Sequence, residues 1–429
     1  MGLILLIFSA LAGCEMIPFD LPWVADEMPT PTPQPGEIDQ LTPTPEMPPV
    51  DEVTPAPVTQ LLMWVPPEMD PELDSEAARL FADQLASFSE LNNDVEIQVR
   101  VKAASGAGGL LDSLTATSAA APVILPDLVL LSRPDLESAA LKGIIFSLDG
   151  LTEVPDDNDW YDFAREMALL QGSTFGLPFA ADSLVLVYRP EAISPTPNNW
   201  AMLVDEGLEL IFPAESDQAL FALTLYLAEG GAIQDSQRRP ILQAEPLEAV
   251  FELFQDGVDS GTFPIRINQY QTSSQVWEAF LDGEEDLVVA WLSDYLKTEP
   301  ADSSFTALFP MSEGSVSLGT GMSWAVPTMD ENQRTMAVQL AEFLTQADFI
   351  SEWSSAAGYI PPRPSALEGW ENLGLRFTIN QVALMTQLRP SNDTIASLGP
   401  VLREGTRQVL QNQLSPAEAA LSAVDSLED

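Results

Sequence analysis

The side chains able to do chemistry in this chain are carboxylates, tryptophans and one thiol. Among 429 residues there are 65 Asp and Glu against 17 Lys and Arg, nine Trp, a single Cys and no His. Without histidine the commonest general base and metal ligand is missing. Cys–His catalysis and Cys/His zinc sites are therefore excluded. Carboxylate-only hydrolysis stays open, because two acids about 5–10 Å apart can cleave glycosidic bonds. No spacing in the chain singles out such a pair.

The thiol belongs to Cys14, at the end of Leu11-Ala12-Gly13-Cys14 and directly after an apolar run. This is the pattern of a bacterial lipoprotein signal, in which the thiol is acylated and residues 1–13 are removed. The run from Gly2 to Gly13 is too short to span a membrane as a helix. The first basic residue is Arg79, so the basic segment that should open a secretory signal is missing, and we expect the reading frame to extend upstream. With its thiol committed to lipid, the chain has no disulfide partner.

The net charge of −48 excludes nucleic-acid binding, which needs clustered Lys and Arg. It also disfavours an anionic membrane surface, leaving the lipid as the anchor. Residues 15–57 hold 12 of the 36 prolines, with repeats at Pro29-Thr30-Pro31-Thr32-Pro33 and Thr42-Pro43-Thr44-Pro45. Proline fixes φ and removes donors, so 14–57 is expected to be a lipidated, disordered spacer. Fully extended it would reach on the order of 130 Å.

The elements that must position the chemistry begin near Val58. A strand at 61–65 is followed by a helix with Asp70 as N-cap and Pro71 at its first position. Ala77, Phe81, Leu85, Phe88 and Leu91 keep helical spacing along it. Val95, Ile97, Val99 and Val101 alternate as a second strand. A helix over 109–120 leads to a third strand at 128–131. This alternation predicts an α/β fold with a mainly parallel sheet. Apolar runs at 184–188 and 287–291 read as central strands. Amphipathic helices are expected around 216–229, 244–256, 332–346 and 398–413. A region of about 370 residues is too long for one compact sheet, and the length predicts two domains.

The landmarks then fall in a familiar order. Ser105-Gly106, Pro126-Asp127-Leu128-Val129, Leu141-Lys142-Gly143 and Ser147-Leu148-Asp149 come first. Phe175-Gly176-Leu177-Pro178, Leu186-Val187-Tyr188-Arg189, Asn199-Trp200 and Glu229-Gly230-Gly231 follow. Next are Ala279-Phe280-Leu281-Asp282-Gly283, Gly319-Thr320-Gly321 before Trp324-Ala325-Val326-Pro327, and Ala341-Glu342-Phe343-Leu344. Gly358-Tyr359-Ile360-Pro361-Pro362-Arg363 and a last helix from Leu414 to Leu421 complete the series. Over roughly 58–425 the chain resembles the family 1 extracellular solute-binding proteins, carbohydrate receptors of ABC importers related to maltose-binding protein. Tyr188-Arg189 departs from the family's usual Tyr-Asn.

The resemblance implies a periplasmic-binding-protein type II fold: two α/β lobes with a hinge and an interlobe ligand cleft. Lobe 1 would comprise 58–178 plus 310–362, and lobe 2 would comprise 179–309 plus 363–429. The chain would cross near Pro178, return near Pro310 and cross again near Arg363. Sugar capture needs aromatic faces for stacking and polar groups for hydroxyls. Trp64 ends the first strand where the family's cleft loop begins, and Asp182 falls where a carboxylate meets sugar hydroxyls. Trp291 lies at a cleft position with Ser293 and Asp294 beyond it. Trp324 follows a glycine-rich turn at 319–321, and Tyr359 and Arg363 flank the last crossover. Ser105 either donates to hydroxyls or caps the following helix, and Arg133 either faces the cleft or pairs with a surface acid. Each tryptophan has core packing as its rival role.

The expected function is that of a substrate-binding lipoprotein, not an enzyme. It would capture a small-molecule solute, a sugar or oligosaccharide, by hinge closure and deliver it to an ABC permease. It would work as a monomer without cofactor, lipid-anchored outside the cytoplasmic membrane. A tethered sensory or scaffold receptor, and a carboxylate-based glycan-active enzyme, are the alternatives.

Overall fold

The computed structural model describes residues 59–428 apart from 155, 156 and 313. Cys14 and the spacer 14–57 lie outside the described residues. Strand β1 (Thr59–Val65) pairs in parallel with β2 (Val95–Val101) on one side and β3 (Leu128–Ser132) on the other. Each parallel step needs a crossover, and helices Glu76–Leu91 and Leu110–Ala120 supply them. The first helix starts five residues later than Asp70 and Pro71 suggest. Ser75 is its N-cap and accepts from Ala78 N, whereas Asp70 accepts from Glu72 N in a separate turn. Ala77, Phe81, Leu85 and Phe88 are buried as the spacing predicts, but Leu91 in the last turn is 72% exposed.

The centre of the sheet is antiparallel, which corrects the expectation of a mainly parallel one. Strand β4 (Leu177–Tyr188) is buried along all twelve residues, five of which the apolar run at 184–188 marks. Strands β5 (Leu287–Trp291) and β6 (Ser304–Thr306) pair with it antiparallel. On its other side runs antiparallel β7 (Ser317–Ala325), which also pairs with β3; β8 (Thr386–Leu388) joins β7 in parallel. The order is β2-β1-β3-β7-β4-β5, with β8 on β7 and β6 on β4.

Gly319, Thr320 and Gly321 thus lie inside a nine-residue strand and not in a turn. Their glycines serve close approach. A Cβ on Gly321 would meet Ala180 O at 2.2 Å, and one on Gly319 would meet Asp182 O at 2.8 Å. Side chains there would push β7 off β4.

Hydrophobic burial divides along this central pair. Leu177, Phe179 and Ala180 of β4 join a core with Phe81, Trp324 and Trp353. Ala181 and residues Leu184 to Tyr188 of the same strand join another core with Phe212, Phe254 and Phe280. Strand β7 divides likewise, with Leu318 in the second core and Trp324 in the first. Ile360 belongs to the second core and bridges to Ala181 by reciprocal backbone hydrogen bonds of 2.9 Å. A third cluster, around Trp64, Leu114 and Val129, covers the other face of β1 and β3.

A hydroxyl network knits the joining strands. Ser183 Oγ lies 3.1 Å from Ser317 Oγ and 2.8 Å from Thr386 Oγ1, and Ser317 Oγ donates to Leu184 O. Buried hydroxyls need such partners. Helices are found at Leu220–Ala228, Ala244–Ser260 and Glu331–Leu344, near their predicted spans. The helix expected from 398 starts at Asn392, capped by Ser391, and ends at Leu410. Among the described residues, no helix is long and apolar enough to cross a membrane.

Candidate functional site

Asp182 sits on β4 opposite Thr320 of β7, one residue past the point where the strand changes core. The residue is 7% exposed. Oδ1 accepts from Ser183 N at 2.8 Å and Ser293 N at 3.0 Å, and Oδ2 accepts from Ser293 Oγ at 2.6 Å. Ser293 lies in the first turn of the short helix Leu292–Thr298, which begins directly after β5. Trp291, the last residue of β5, pairs with Leu184 and is half-buried. Burial pushes the Asp182 carboxyl up to about 6, against the pull of its three donors, and Asp294 adds to the rise.

Asp182, Trp291 and Thr320 line a cavity of about 560 Å³. Ser132 and Pro134, just past β3, form one wall. The loops at 216–218 and 271–273 form another, and Arg389 closes it beyond β8. This volume suits a small ligand. A somewhat larger hollow, about 650 Å³ among Gln60, Gln98, Arg100 and Asp127, lies elsewhere in the fold. It is built on the start of β1 and the approach to β3. Ligands of open α/β sheets bind outside the carboxyl ends of strands, which favours the cavity at Trp291 and Ser132.

Tyr359 acts on the same group of charges. Its hydroxyl accepts from Lys297 Nζ at 2.7 Å, the ammonium lies 3.9 Å from its ring centroid, and its ring stacks on Trp353 at 5.9 Å. Burial raises the Tyr359 phenol, and Glu68, Asp182 and Asp294 raise it further. Burial lowers the Lys297 ammonium, while Asp182, Glu68 and Asp294 oppose that. Three carboxylates and one amine are therefore electrostatically joined around Tyr359.

The remaining sequence candidates lie apart from the cavity. Trp324 is 0% exposed, held by Phe81 at 6.3 Å and Phe179 at 5.2 Å; it is core, because its side of β7 faces the first helix. Trp64 is buried in the third cluster, with Lys102 Nζ 4.7 Å from its ring centroid. Arg363 donates Nε to Thr345 O at 2.9 Å and Nη1 to Asp157 at 2.9 Å, over the Trp160 ring. Ser105 is exposed in a separate hollow with Asp112 and Lys142, and the N-cap of the next helix is Gly109. Arg133 does neither thing the sequence suggests. It is buried and donates to Met167 O at 2.9 Å and Leu169 O at 3.1 Å, with no ion pair among the described residues.

The structure thus brings together Asp182 and Trp291 on one cavity, while Tyr359 lies outside that lining, against Lys297 and Trp353, in the field of Asp182. Glu68, Lys297 and Arg389 were not legible in the sequence, as each is a lone charged residue without a local pattern. Thr272-x-x-Gln275 did carry a signal: it is a capping box that starts the helix Ser273–Leu281 at the cavity wall.

Two α/β halves, joined by strands that pass from one core to the other and flanking a cavity at the joint, define a ligand receptor of the periplasmic-binding-protein type II fold. The chain belongs to the bacterial extracellular solute-binding protein family, whose model matches residues 83–376. Solved structures agree on the fold. A cyclic α-maltosyl-1,6-maltose binding protein from Arthrobacter globiformis is 17% identical with a TM-score of 0.71, covering 86% of this chain and 98% of its own. The sugar-binding protein MalE of Xanthomonas citri is 16% identical with a TM-score of 0.68, covering 86% and 97%. Maltose-bound MalE3 of T. maritima is 16% identical with a TM-score of 0.65, covering 86% and 99%. Comparison with curated proteins gives no match.

Proposed function

We propose that this protein is the substrate-binding lipoprotein of an ABC importer, capturing a sugar or oligosaccharide and delivering it to a membrane permease. The observation that carries the reading is the pairing of Asp182 and Trp291 on one cavity at the joining strands. An indole face offers a stacking surface for pyranose C–H groups, and the adjacent carboxylate accepts from hydroxyls. The sugar-binding proteins of similar fold support the same ligand class.

The lobes are taken as 58–178 with 310–362, and 179–309 with 363–429. Closure bends the strands where the cores divide, bringing Ser132 of one lobe toward Trp291 of the other. Asp182 and Trp291 contact ligand in this account. Trp64, Ser105, Trp324, Tyr359 and Arg363, also expected to bind ligand, lie outside the lining of this cavity and make no ligand contact in this reading. Acylated Cys14 holds the receptor on the outer side of the cytoplasmic membrane, and the spacer 14–57 sets its distance from the permease.

A thermal-shift panel of neutral and acidic oligosaccharides tests the ligand class. Specific binding raises the midpoint by mass action, so at least one saccharide shifts it. A flat response to every saccharide, with a shift from another solute class, would refute the sugar reading.

A further inference from the structure

Arg389 is the cation of the cavity wall and, like Arg133, a buried arginine without an ion pair among the described residues. Arg189, Arg239, Arg266, Arg363, Arg403 and Arg407 each pair with a carboxylate. Arg389 is 7% exposed and has no ion-pair partner among the described residues. Its Nη1 donates to Asn392 Oδ1 at 3.0 Å, and its Nε and Nη2 donate to no described group. The nearby acid, Glu137, favours the Arg389 charge without bonding to it: its Oε1 accepts from Asn392 N at 3.0 Å, and its buried Oε2 has no partner among the described residues. Arg133 also bears on this guanidinium, with unfavourable sign. Nε and Nη2 are not sealed from solvent but open to the cavity, where they are free to meet an acceptor on a ligand.

Three helix N-termini open on the same cavity. Helix Arg133–Leu141 presents Ser132 and Pro134, Leu220–Ala228 presents Gln218 and Leu220, and Ser273–Leu281 presents Thr272 and Ser273. Each has nine residues, and the one at Leu220 has no capping side chain. Their partial positive ends add to the field of Arg389. The acids at the wall already have partners, although Asp182 keeps an acceptor position for a ligand hydroxyl. Asp182 accepts three hydrogen bonds, and Asp217 pairs with Arg403.

We infer that the saccharide held in this cavity carries a carboxylate, as a uronate does, and that Arg389 receives it. The planar guanidinium fork matches a carboxylate bidentately, and the opposite charge makes that pair stronger than one with two neutral hydroxyls. Three helix ends and Arg389 favour the charged group over its neutral CH₂OH counterpart. Arg389 is then the residue that sets ligand class, while Trp291 and Asp182 serve the sugar ring. This inference rests on the sugar-receptor reading.

The test is calorimetric titration of the protein with matched pairs: oligogalacturonate against galactan oligosaccharide, and oligoglucuronate against cello-oligosaccharide, at equal length. One acidic member should bind at least tenfold tighter than its neutral partner, and more weakly as salt rises. Arg389→Gln should remove that discrimination, whereas Arg389→Lys, which keeps the charge, should retain part of it. Should the Gln variant not fold, loss of the bidentate preference in the Lys variant carries the test. A neutral saccharide binding as tightly as or tighter than its acidic partner overturns the inference and leaves the sugar reading standing. Acid preference that survives Arg389→Gln overturns the assignment to Arg389. No binding by either series overturns the inference, and the thermal-shift panel then decides the sugar reading.

Discussion

The carboxylate of Asp182 ties β4 to the helix that follows Trp291: it accepts from Ser293 N at 3.0 Å and from Ser293 Oγ at 2.6 Å. One side chain thereby fixes both the end of β5 and the start of the next helix at the cavity. Trp291 sits at the same junction, between the end of β5 and that helix. The cost is a buried acid, since burial outweighs the donors and lifts its carboxyl to about 6.

That rise has a definite sign in stability. The folded value lies above the ordinary aspartate value of about 3.9, so the folded state binds the proton more tightly than the unfolded chain. Stability from this group is fully present below about pH 4 and is lost as pH rises through about 6, a change on the order of 3 kcal/mol. Asp182→Asn cannot titrate there. The melting midpoint of the native protein, measured relative to Asp182→Asn, should fall between pH 4 and pH 6 and level off above. A constant difference over that range would contradict the assignment.

Two tryptophans should separate binding from folding. Trp324 is fully buried between Phe81 and Phe179, so Trp324→Ala should lower stability by about 3–5 kcal/mol. Half-buried Trp291 lines the cavity. Trp291→Ala should cost less in a denaturant melt yet weaken saccharide affinity at least tenfold. Equal stability losses for the two would place Trp291 in the core.

Arg363 acts as a brace. Its guanidinium joins Thr345 O and Asp157 across the chain and lies over Trp160. The same ion pair holds the Asp157 carboxyl below its usual range. Arg363→Ala should reduce stability by about 2–3 kcal/mol through its lost buried donors, with saccharide affinity changed less than threefold. A large affinity loss at unchanged stability would move Arg363 into the ligand site.

Gly321 should tolerate no side chain. A Cβ there meets a backbone oxygen, Ala180 O, at 2.2 Å, and backbone cannot step aside as a flexible side chain can. Gly321→Ala should lower the midpoint severely or prevent folding, while Gly106→Ala, in open space though at positive φ, should cost only about 1 kcal/mol. Similar midpoints for the two variants would mean that β4 and β7 do not pack this closely.

The α/β class was legible because β1, β2, β3, β4 and β5 each carry a strong local pattern. Strand β7 was not, since Gly319-Thr320-Gly321 reads as a turn by composition. Only its approach to β4, far away in sequence, explains those glycines. Asp182 was visible through the landmarks around it. Trp291 and Trp324 look alike in the sequence, each within an apolar strand. Pairing decides between them: Trp324 faces the core of helix Glu76–Leu91, while Trp291 ends its strand beside Asp182. Arg389 and Lys297 have no periodicity to betray them, because burial and partners come from distant segments.

The central claim is that solute is held at the junction of the two cores by Asp182 and Trp291. Calorimetric titration of the native protein, Asp182→Asn and Trp291→Ala with the saccharide giving the largest midpoint shift tests it most directly. The account predicts one site per chain in the native protein and at least a tenfold weaker Kd in each variant, with both still folded. Unchanged affinity in both folded variants would contradict it.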